Sequence, residues 1–292
     1  MKKTFKDKLN NPKMLILPGV YDALSALLAQ QTGFEGVYLS GASISYTRLG
    51  RSDVGLVSVS EVANTLEMIC DRVDIPVMVD ADNGYGNALN VQRTVRQFER
   101  AGASAIQLED QSYPKRCGHL NGKILIKTNE MVGKINAALD ARKSEETLIV
   151  ARTDAISVEG LSEAIERAQR YCDAGADIIF VEAPSSIDDM SLIVESLAPR
   201  VPLLANMVEG GQTPLLTADK LKKIGYKLVI FPGGLVRAQT YLTQRYLAQL
   251  LRDGSTINML DKMVDFQKLN EIIGTEELLT LGARYDTLKG DE

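Results

Sequence analysis

Eight short apolar runs recur along the chain, at 14–17, 36–40, 76–80, 105–109, 148–152, 178–182, 202–206 and 228–231. They are apolar throughout rather than alternating, the pattern of strands buried on both faces of a parallel sheet. Most intervals between them carry helical spacing. Val91, Val95 and Phe98 mark one helix, Leu161, Ile165 and Ala168 a second, and Met190, Ile193 and Leu197 a third. Gly102, Gly175 and Gly225 stand where such helices should stop, as C-cap glycines do. Eight strand-then-helix units predict an α/β fold, a closed (β/α)8 barrel. An open doubly wound sheet is the competing arrangement, and the count of eight favours closure. After the last strand, 237–252 and 255–273 read as two amphipathic helices beyond what the barrel needs, suited to an oligomer contact or a cover. No Pro/Ser-rich linker interrupts the pattern, so 1–292 is expected to form one barrel domain with a helical extension over 237–292.

The ends of these runs change the picture. Ser40, Asp80, Glu109, Arg152, Glu182 and Asn206 close six of them. An apolar core strand has no packing reason to end in a charge. Loop starts and helix caps account for one or two such residues. Six of them at the end of a barrel where active sites sit indicate a functional mouth.

The third strand runs into DADNGYGN. Asp80 and Asp82 are two apart and point the same way if the strand persists. Neighbouring carboxylates repel unless a proton or a cation joins them. Hard oxygen ligands suit Mg²⁺, and Glu109, on the next strand, can reach the same ion directly or through water. Asp, Asn and Gly also suit a tight turn, but Glu109 beside them favours a metal. Zinc lacks a soft cluster, because the chain has a single histidine and scattered cysteines.

That histidine, His119, lies in PKRCGHLNGK, two residues after Cys117 and close to Lys115 and Arg116. A Cys–His hydrolase needs a third orienting group, and none is evident. A metal site lacks ligands, and a solvated basic turn leaves the cysteine unexplained. The remaining reading is a mobile loop in which Lys115, Arg116 and His119 lower the thiol pKa and attract a carboxylate. Cys70 and Cys172 fall in helical patterns as packing residues. Paired glycines after strands seven (Gly210, Gly211) and eight (Gly233, Gly234) admit phosphate binding as a lesser alternative to plain turns.

Bulk properties mostly exclude. A net charge of −5 gives no electrostatic reason for a nucleic-acid partner. Three cysteines suggest no disulfide framework and a reducing compartment. The N-terminal stretch has no apolar core of a leader, and no run reaches membrane-spanning length, so a cytoplasmic protein is expected, without a membrane partner.

In this order, DADNGYGN, QLEDQ, PKRCGH, ARTDA, EA and LANMVEGG resemble the isocitrate lyase/phosphoenolpyruvate mutase superfamily over nearly the whole chain. The resemblance is greatest to the 2-methylisocitrate lyases, 2,3-dimethylmalate lyases and carboxyphosphonoenolpyruvate phosphonomutases. It implies a barrel, Mg²⁺, and a homotetramer whose dimers exchange the eighth barrel helix. It makes Asp82 the direct metal ligand, with Asp80, Glu109 and Asp53 acting mostly through water. It makes Ser40, Gly41 and Ala42 a carboxylate-binding segment. Arg152, Glu182 and Asn206 become substrate contacts, joined by Lys115, Gly118 and His119 of the loop. Cys117 becomes the catalytic thiol, and Arg152 and Glu182 share in the chemistry. The implied reaction splits a carbon–carbon bond of a 2-hydroxy di- or tricarboxylate, with formation of a carbon–phosphorus bond as the alternative. The base is open among Tyr46, Tyr85 and Glu182. NMVEGG departs from the usual 2-methylisocitrate lyase pattern and keeps dimethylmalate-like dicarboxylates open, while Pro232 does not favour an oxaloacetate hydrolase.

Overall fold

The computed structural model describes residues 4–118, 120 and 122–286. Eight parallel strands close into a barrel in sequence order: β1 (Leu15–Val20), β2 (Val37–Leu39), β3 (Val77–Asp80), β4 (Ala105–Glu109), β5 (Leu148–Thr153), β6 (Ile178–Val181), β7 (Leu203–Asn206) and β8 (Leu228–Phe231). Closure is made by β1 and β8, with Leu15 opposite Leu228 and Pro18 opposite Phe231. The expected barrel is therefore the observed one. β1 runs three residues further than its apolar run, and Ser40 and Glu182 fall just past their strands.

Two apolar shells result from the period-2 alternation of the strands. One set of faces packs outward against the helices: Val37, Val77, Val79, Ile106, Leu108, Ile149, Ile179 and Val229 join Val91, Val95, Phe98, Met190, Ile193 and Leu197. The opposite faces fill the barrel with Leu15, Leu17, Tyr38, Met78, Ala105, Val150, Phe180, Leu204 and Ile230. Phe5 and Leu9 belong to this inner cluster, so the N-terminal helix Phe5–Leu9 plugs the far end of the barrel. The inward series then continues by twos into the polar ends: Tyr38 to Ser40, Met78 to Asp80, Gln107 to Glu109, Val150 to Arg152, Phe180 to Glu182, Leu204 to Asn206. The same alternation that packs the core aims these six side chains inward at the mouth.

The helices begin and end for local reasons. Asn87 caps Ala88–Arg100 by accepting from Leu89 and Asn90 N–H, and Gly102 follows that helix at φ +100°. Gly175 and Gly225 also lie in the positive-φ region after their helices. Gly19 is needed for barrel closure, because a Cβ there would sit 2.2 Å from the Pro232 carbonyl oxygen.

The chain divides into two compact units, one ending at Val236 and the other running from Arg237. The second is helical. The helix expected over 237–252 is part of Gly234–Asp253. The single helix expected over 255–273 is instead a 3₁₀ segment, Ile257–Lys262, followed by a separate α-helix, Phe266–Ile273. The break has a cause: Asp265 takes an extended conformation and its carboxylate accepts from Lys268 N–H, starting a new helix. A further helix spans Thr275–Ala283. Among the described residues no helix is long and apolar enough to cross a membrane.

Two glycine substitutions test this packing in opposite directions. Gly19→Ala should cost about 1–3 kcal/mol by overpacking the β1–β8 seam. Gly133→Ala lies within the helix Thr128–Ala141 with open space around its Cβ position, and should add about 0.5–1 kcal/mol. Urea unfolding midpoints of the two variants and the parent measure both.

Candidate active site

The third strand does not persist as far as Asp82. β3 stops at Asp80, and Asp82 follows in a left-handed conformation at φ +46°, with its N–H donating to Asp80 Oδ1 at 3.1 Å. The two carboxylates still converge. A Cβ on Gly41 would stand 3.1 Å from Asp80 Oδ2 and 3.4 Å from Asp82 Oδ1, so a bare backbone is what lets both carboxylates lie against this turn. The Asp82 carbonyl accepts from Glu109 N–H at 2.9 Å, which ties the turn to the end of β4. Gln107 donates to Asp80 Oδ1 at 3.3 Å and accepts from the Tyr38 hydroxyl at 3.3 Å.

Lys115 enters this group from the loop. Its Nζ lies 2.6 Å from Asp53 Oδ1 and 2.6 Å from Asp82 Oδ1, and its side chain is 4% exposed. Burial alone would lower the Lys115 pKa, but the carboxylates of Asp82, Asp53, Glu109 and Asp80 outweigh it and keep the ammonium charged. The carboxylates remain under-compensated. Burial, with Asp80 and Asp53 adding, pushes Asp82 up to about 7 against the pull of Lys115. Burial likewise raises Glu109 well above the usual carboxylate range, although Arg152 opposes it.

Two buried carboxylates show what is lacking. Glu109 Oε1 is buried without a hydrogen-bond partner, and Asp82 Oδ1 has the Lys115 ammonium at 2.6 Å, a cation that it shares with Asp53. Buried acceptors normally find a donor, a water or an ion. No three His, Cys, Asp or Glu side chains among the described residues are set around one point for direct coordination. A cation here would therefore bind through one or two carboxylates and keep several waters, the habit of Mg²⁺. The donor set fits such an ion.

On the other side of the cavity Arg152 is held by three carboxylates. Its Nε and Nη2 donate to the two oxygens of Asp154 at 3.1 and 3.0 Å. Its Nη2 is 3.2 Å from Glu182 Oε2, and its Nη1 is 3.5 Å from Glu109 Oε2. The guanidinium also lies over the Phe180 ring, 5.1 Å from its centre. Asn206 donates to Glu182 Oε2 at 3.0 Å, while its own Oδ1 is a further buried acceptor without a partner.

The Cys117 loop closes over both halves. Its stem is an antiparallel bridge between Gln111 and Leu125. The Gln111 side-chain amide makes two hydrogen bonds to the Arg116 backbone, donating to its carbonyl at 2.8 Å and accepting from its N–H at 2.9 Å. Cys117 N–H donates to the Asp53 carbonyl at 3.2 Å. Gly118 lies so close to the site that a Cβ would meet Arg152 Nη2 at 2.3 Å and Glu182 Oε2 at 2.8 Å. None of the three cysteines forms a disulfide.

One cavity thus brings together Ser40, Ala42, Asp53, Asp80, Glu109, Lys115, Cys117, Gly118, Arg152, Glu182 and Asn206, with Tyr38, Arg116, Val208, Ile230 and Pro232 completing its wall. Gly41 and Asp82 adjoin it through the contacts above. His119 lies outside the described residues. Ser40 spends its hydroxyl as the cap of the short helix Gly41–Ile44, accepting from Ser43 N–H at 3.2 Å. Tyr46 is 39% exposed and Tyr85 packs edge-on to Phe98; of the three candidate bases only Glu182 is among the lining residues. Gly210, Gly211, Gly233 and Gly234 are not part of the wall. The sequence reading did not single out Tyr38, Gln107, Asp110, Asp154 and Lys123. For two of them a signal existed: Tyr38 and Gln107 stand two residues before Ser40 and Glu109, on the same inward face.

A buried, cation-seeking cluster at the mouth of a barrel, closed by a loop that carries a thiol, is the apparatus of an enzyme. The family model described as phosphoenolpyruvate phosphomutase matches residues 5–251, and the chain belongs to that family, within the phosphoenolpyruvate mutase/isocitrate lyase superfamily. Its relatives include lyases at near-full length. It is 41% identical to the 2,3-dimethylmalate lyase of Eubacterium barkeri over 97% of both chains. It is 46% identical to the 2-methylisocitrate lyase of Aeropyrum pernix over 92% of this chain and 86% of the relative. Among solved structures, a 2,3-dimethylmalate lyase superposes with a TM-score of 0.91 at 35% identity, covering 98% of this chain and 96% of the other. Phosphonopyruvate hydrolase in complex with oxalate and Mg²⁺ superposes at 0.85 with 32% identity, covering 95% and 96%.

Lys115→Met should destabilise the metal-free protein by about 3–5 kcal/mol, because it strands buried carboxylates without their counter-charge. Urea unfolding in EDTA measures the loss. Titrated Mg²⁺ should then recover more stability in the variant than in the parent.

Proposed function

We propose that this protein is a Mg²⁺-dependent lyase that splits a carbon–carbon bond of a 2-hydroxy dicarboxylate or tricarboxylate of the 2,3-dimethylmalate or 2-methylisocitrate type. The products are a 2-oxo acid and a second carboxylic acid. The observation that carries this reading is the convergence of buried carboxylates, one of them with an oxygen that has no partner, Arg152 and the Cys117 loop on one cavity. Relatives named for these two activities, at 41% and 46% identity, support it.

Mg²⁺ would be held by Asp82 directly and by Asp80, Glu109 and Asp53 through waters, and would supply Lewis acidity to the oxygens of the bound 2-hydroxy acid. The remaining roles belong to the chain. The backbone of Ser40, Gly41 and Ala42 receives one carboxylate. Arg152, fixed by Asp154 and Glu182, orients the substrate and stabilises the charge that grows on it. Asn206 and the loop residues Lys115, Gly118 and His119 complete the grip. Glu182, the candidate base that lines the cavity, takes the hydroxyl proton. The C–O⁻ electrons form the carbonyl of the departing 2-oxo acid. The pair from the broken carbon–carbon bond moves onto the other fragment as an enediolate-like carboxylate. Cys117 gives its thiol proton to that carbon, so the second product leaves as an ordinary carboxylate. Closure of the loop keeps water from doing so first.

The apolar part of the cavity lining includes Val208, Ile230 and Pro232. That wall suits methyl groups better than a third carboxylate. The second unit exposes Leu251, Phe266, Leu278 and Leu279, at 89%, 86%, 67% and 70%. Apolar side chains so exposed are suited to burial between copies of the chain, and a homotetramer is the assembly we assign; light scattering on the purified protein tests it.

The substrate assignment is tested by incubation with 2,3-dimethylmalate, 2-methylisocitrate and isocitrate, following release of 2-oxo acid with Mg²⁺ and with EDTA. Turnover should need Mg²⁺ and should favour the methyl-bearing substrates. No product from any of the three would sink the reading. Cys117→Ser should lower kcat by about 10²–10⁴-fold, the usual share of a positioned general acid, while oxalate with Mg²⁺ still binds by calorimetry.

A further inference from the structure

Lys123 is buried at the foot of the thiol loop, 8% exposed, and has no part in the roles assigned so far. Its Nζ donates to the Gly118 carbonyl oxygen and lies 3.5 Å from Asp154 Oδ1. An ammonium taken out of water costs several kcal/mol unless it is paired and hydrogen-bonded, so a lysine placed here for solubility alone would turn outward. Its acceptor is the residue next to Cys117. Its counter-ion is the carboxylate that grips Arg152.

That counter-ion is itself immobile. Asp154 N–H donates to Asp110 Oδ1 at 2.9 Å. Asp110 Oδ2 receives the Thr153 hydroxyl at 2.7 Å and the Tyr171 hydroxyl at 2.8 Å, so the anchor reaches from the end of β5 to the helix Leu161–Asp173. Burial would raise the Asp154 pKa, but Arg152 and Lys123 outweigh it and keep it ionised.

We propose that Lys123 is a positioning residue of the thiol loop: its ammonium bridges the Gly118 carbonyl to the Asp154–Arg152 pair and so fixes where Cys117 stands. The same carboxylate then sets both the guanidinium that holds the substrate and the loop that delivers the proton. Gly118 is the complement of this latch, since only a residue without a side chain fits against Arg152 and Glu182 while its carbonyl meets Lys123. The kinetic consequence rests on the lyase reading above; the loop docking does not.

The experiment uses the full-length protein and Lys123→Ala. Iodoacetamide labelling of Cys117, resolved by mass spectrometry, is followed without ligand and with Mg²⁺ plus oxalate. The latch predicts labelling at least about tenfold faster in the variant, the change expected when a local opening loses one charge-assisted hydrogen bond. On the substrates named above, kcat should fall about 100-fold with KM little altered, as misplacement of a reacting group produces. Ethylammonium added to Lys123→Ala should restore part of both, which a merely structural lysine would not allow. Equal labelling rates in parent and variant under both conditions overturn the proposal, as does loss of activity that ethylammonium leaves untouched. Should Lys123→Ala fail to fold, Lys123→Gln, which keeps a donor for Gly118 without the charge, is read by the same labelling. If the parent turns over none of the substrates, the lyase reading fails while the labelling still decides the latch.

Discussion

The structure depends on an imbalance of buried charge. Asp53, Asp80, Asp82, Glu109, Asp154 and Glu182 are all buried at one mouth of the barrel, against Lys115, Lys123 and Arg152. Each ion removed from water carries a desolvation cost that only close opposite charge offsets. The three cations are therefore shared: Lys115 between Asp53 and Asp82, Arg152 among Glu109, Asp154 and Glu182, Lys123 with Asp154. Even so, burial holds the Asp82 and Glu109 carboxyls above their usual range, and Glu109 keeps an oxygen without a partner. The mouth is built to receive positive charge and anything that charge can bind.

The barrel makes such a mouth affordable. Apolar residues fill the interior below it, and the outward faces bury against helices, so the rigid surround that the charges need is already present. Because alternate residues face inward, one strand supplies a packing residue and, two positions later, a functional one. Met78 and Asp80 share a face, as do Phe180 and Glu182. The core and the site are thus one pattern read at two depths. The loop adds what the strands do not, a thiol at the edge of the cavity.

Much of this was legible in the sequence, and the reasons are physical. Doubly buried parallel strands leave uninterrupted apolar runs, and a charge at the end of such a run has no packing explanation, so the fold and six mouth residues could be read directly. The conformation of Asp82 could not, because whether a strand persists two residues further depends on hydrogen bonds to its neighbours. The break at Asp265 was missed because the apolar spacing continues across it, while a single carboxylate capping the next helix decides the backbone. Lys123 and Asp154 were invisible for a different reason: a lysine in a Gly-rich loop and an aspartate after a strand look like surface residues until the fold shows them sharing a buried partner.

The plug formed by Phe5 and Leu9 has a bearing on traffic through the molecule. With the bottom of the barrel stoppered and its bore packed with side chains, the cavity lies at the strand-end mouth, where Lys115, Arg116, Cys117 and Gly118 of the thiol loop line it. Any ligand of the cavity would therefore come and go on the same face of the barrel as the thiol.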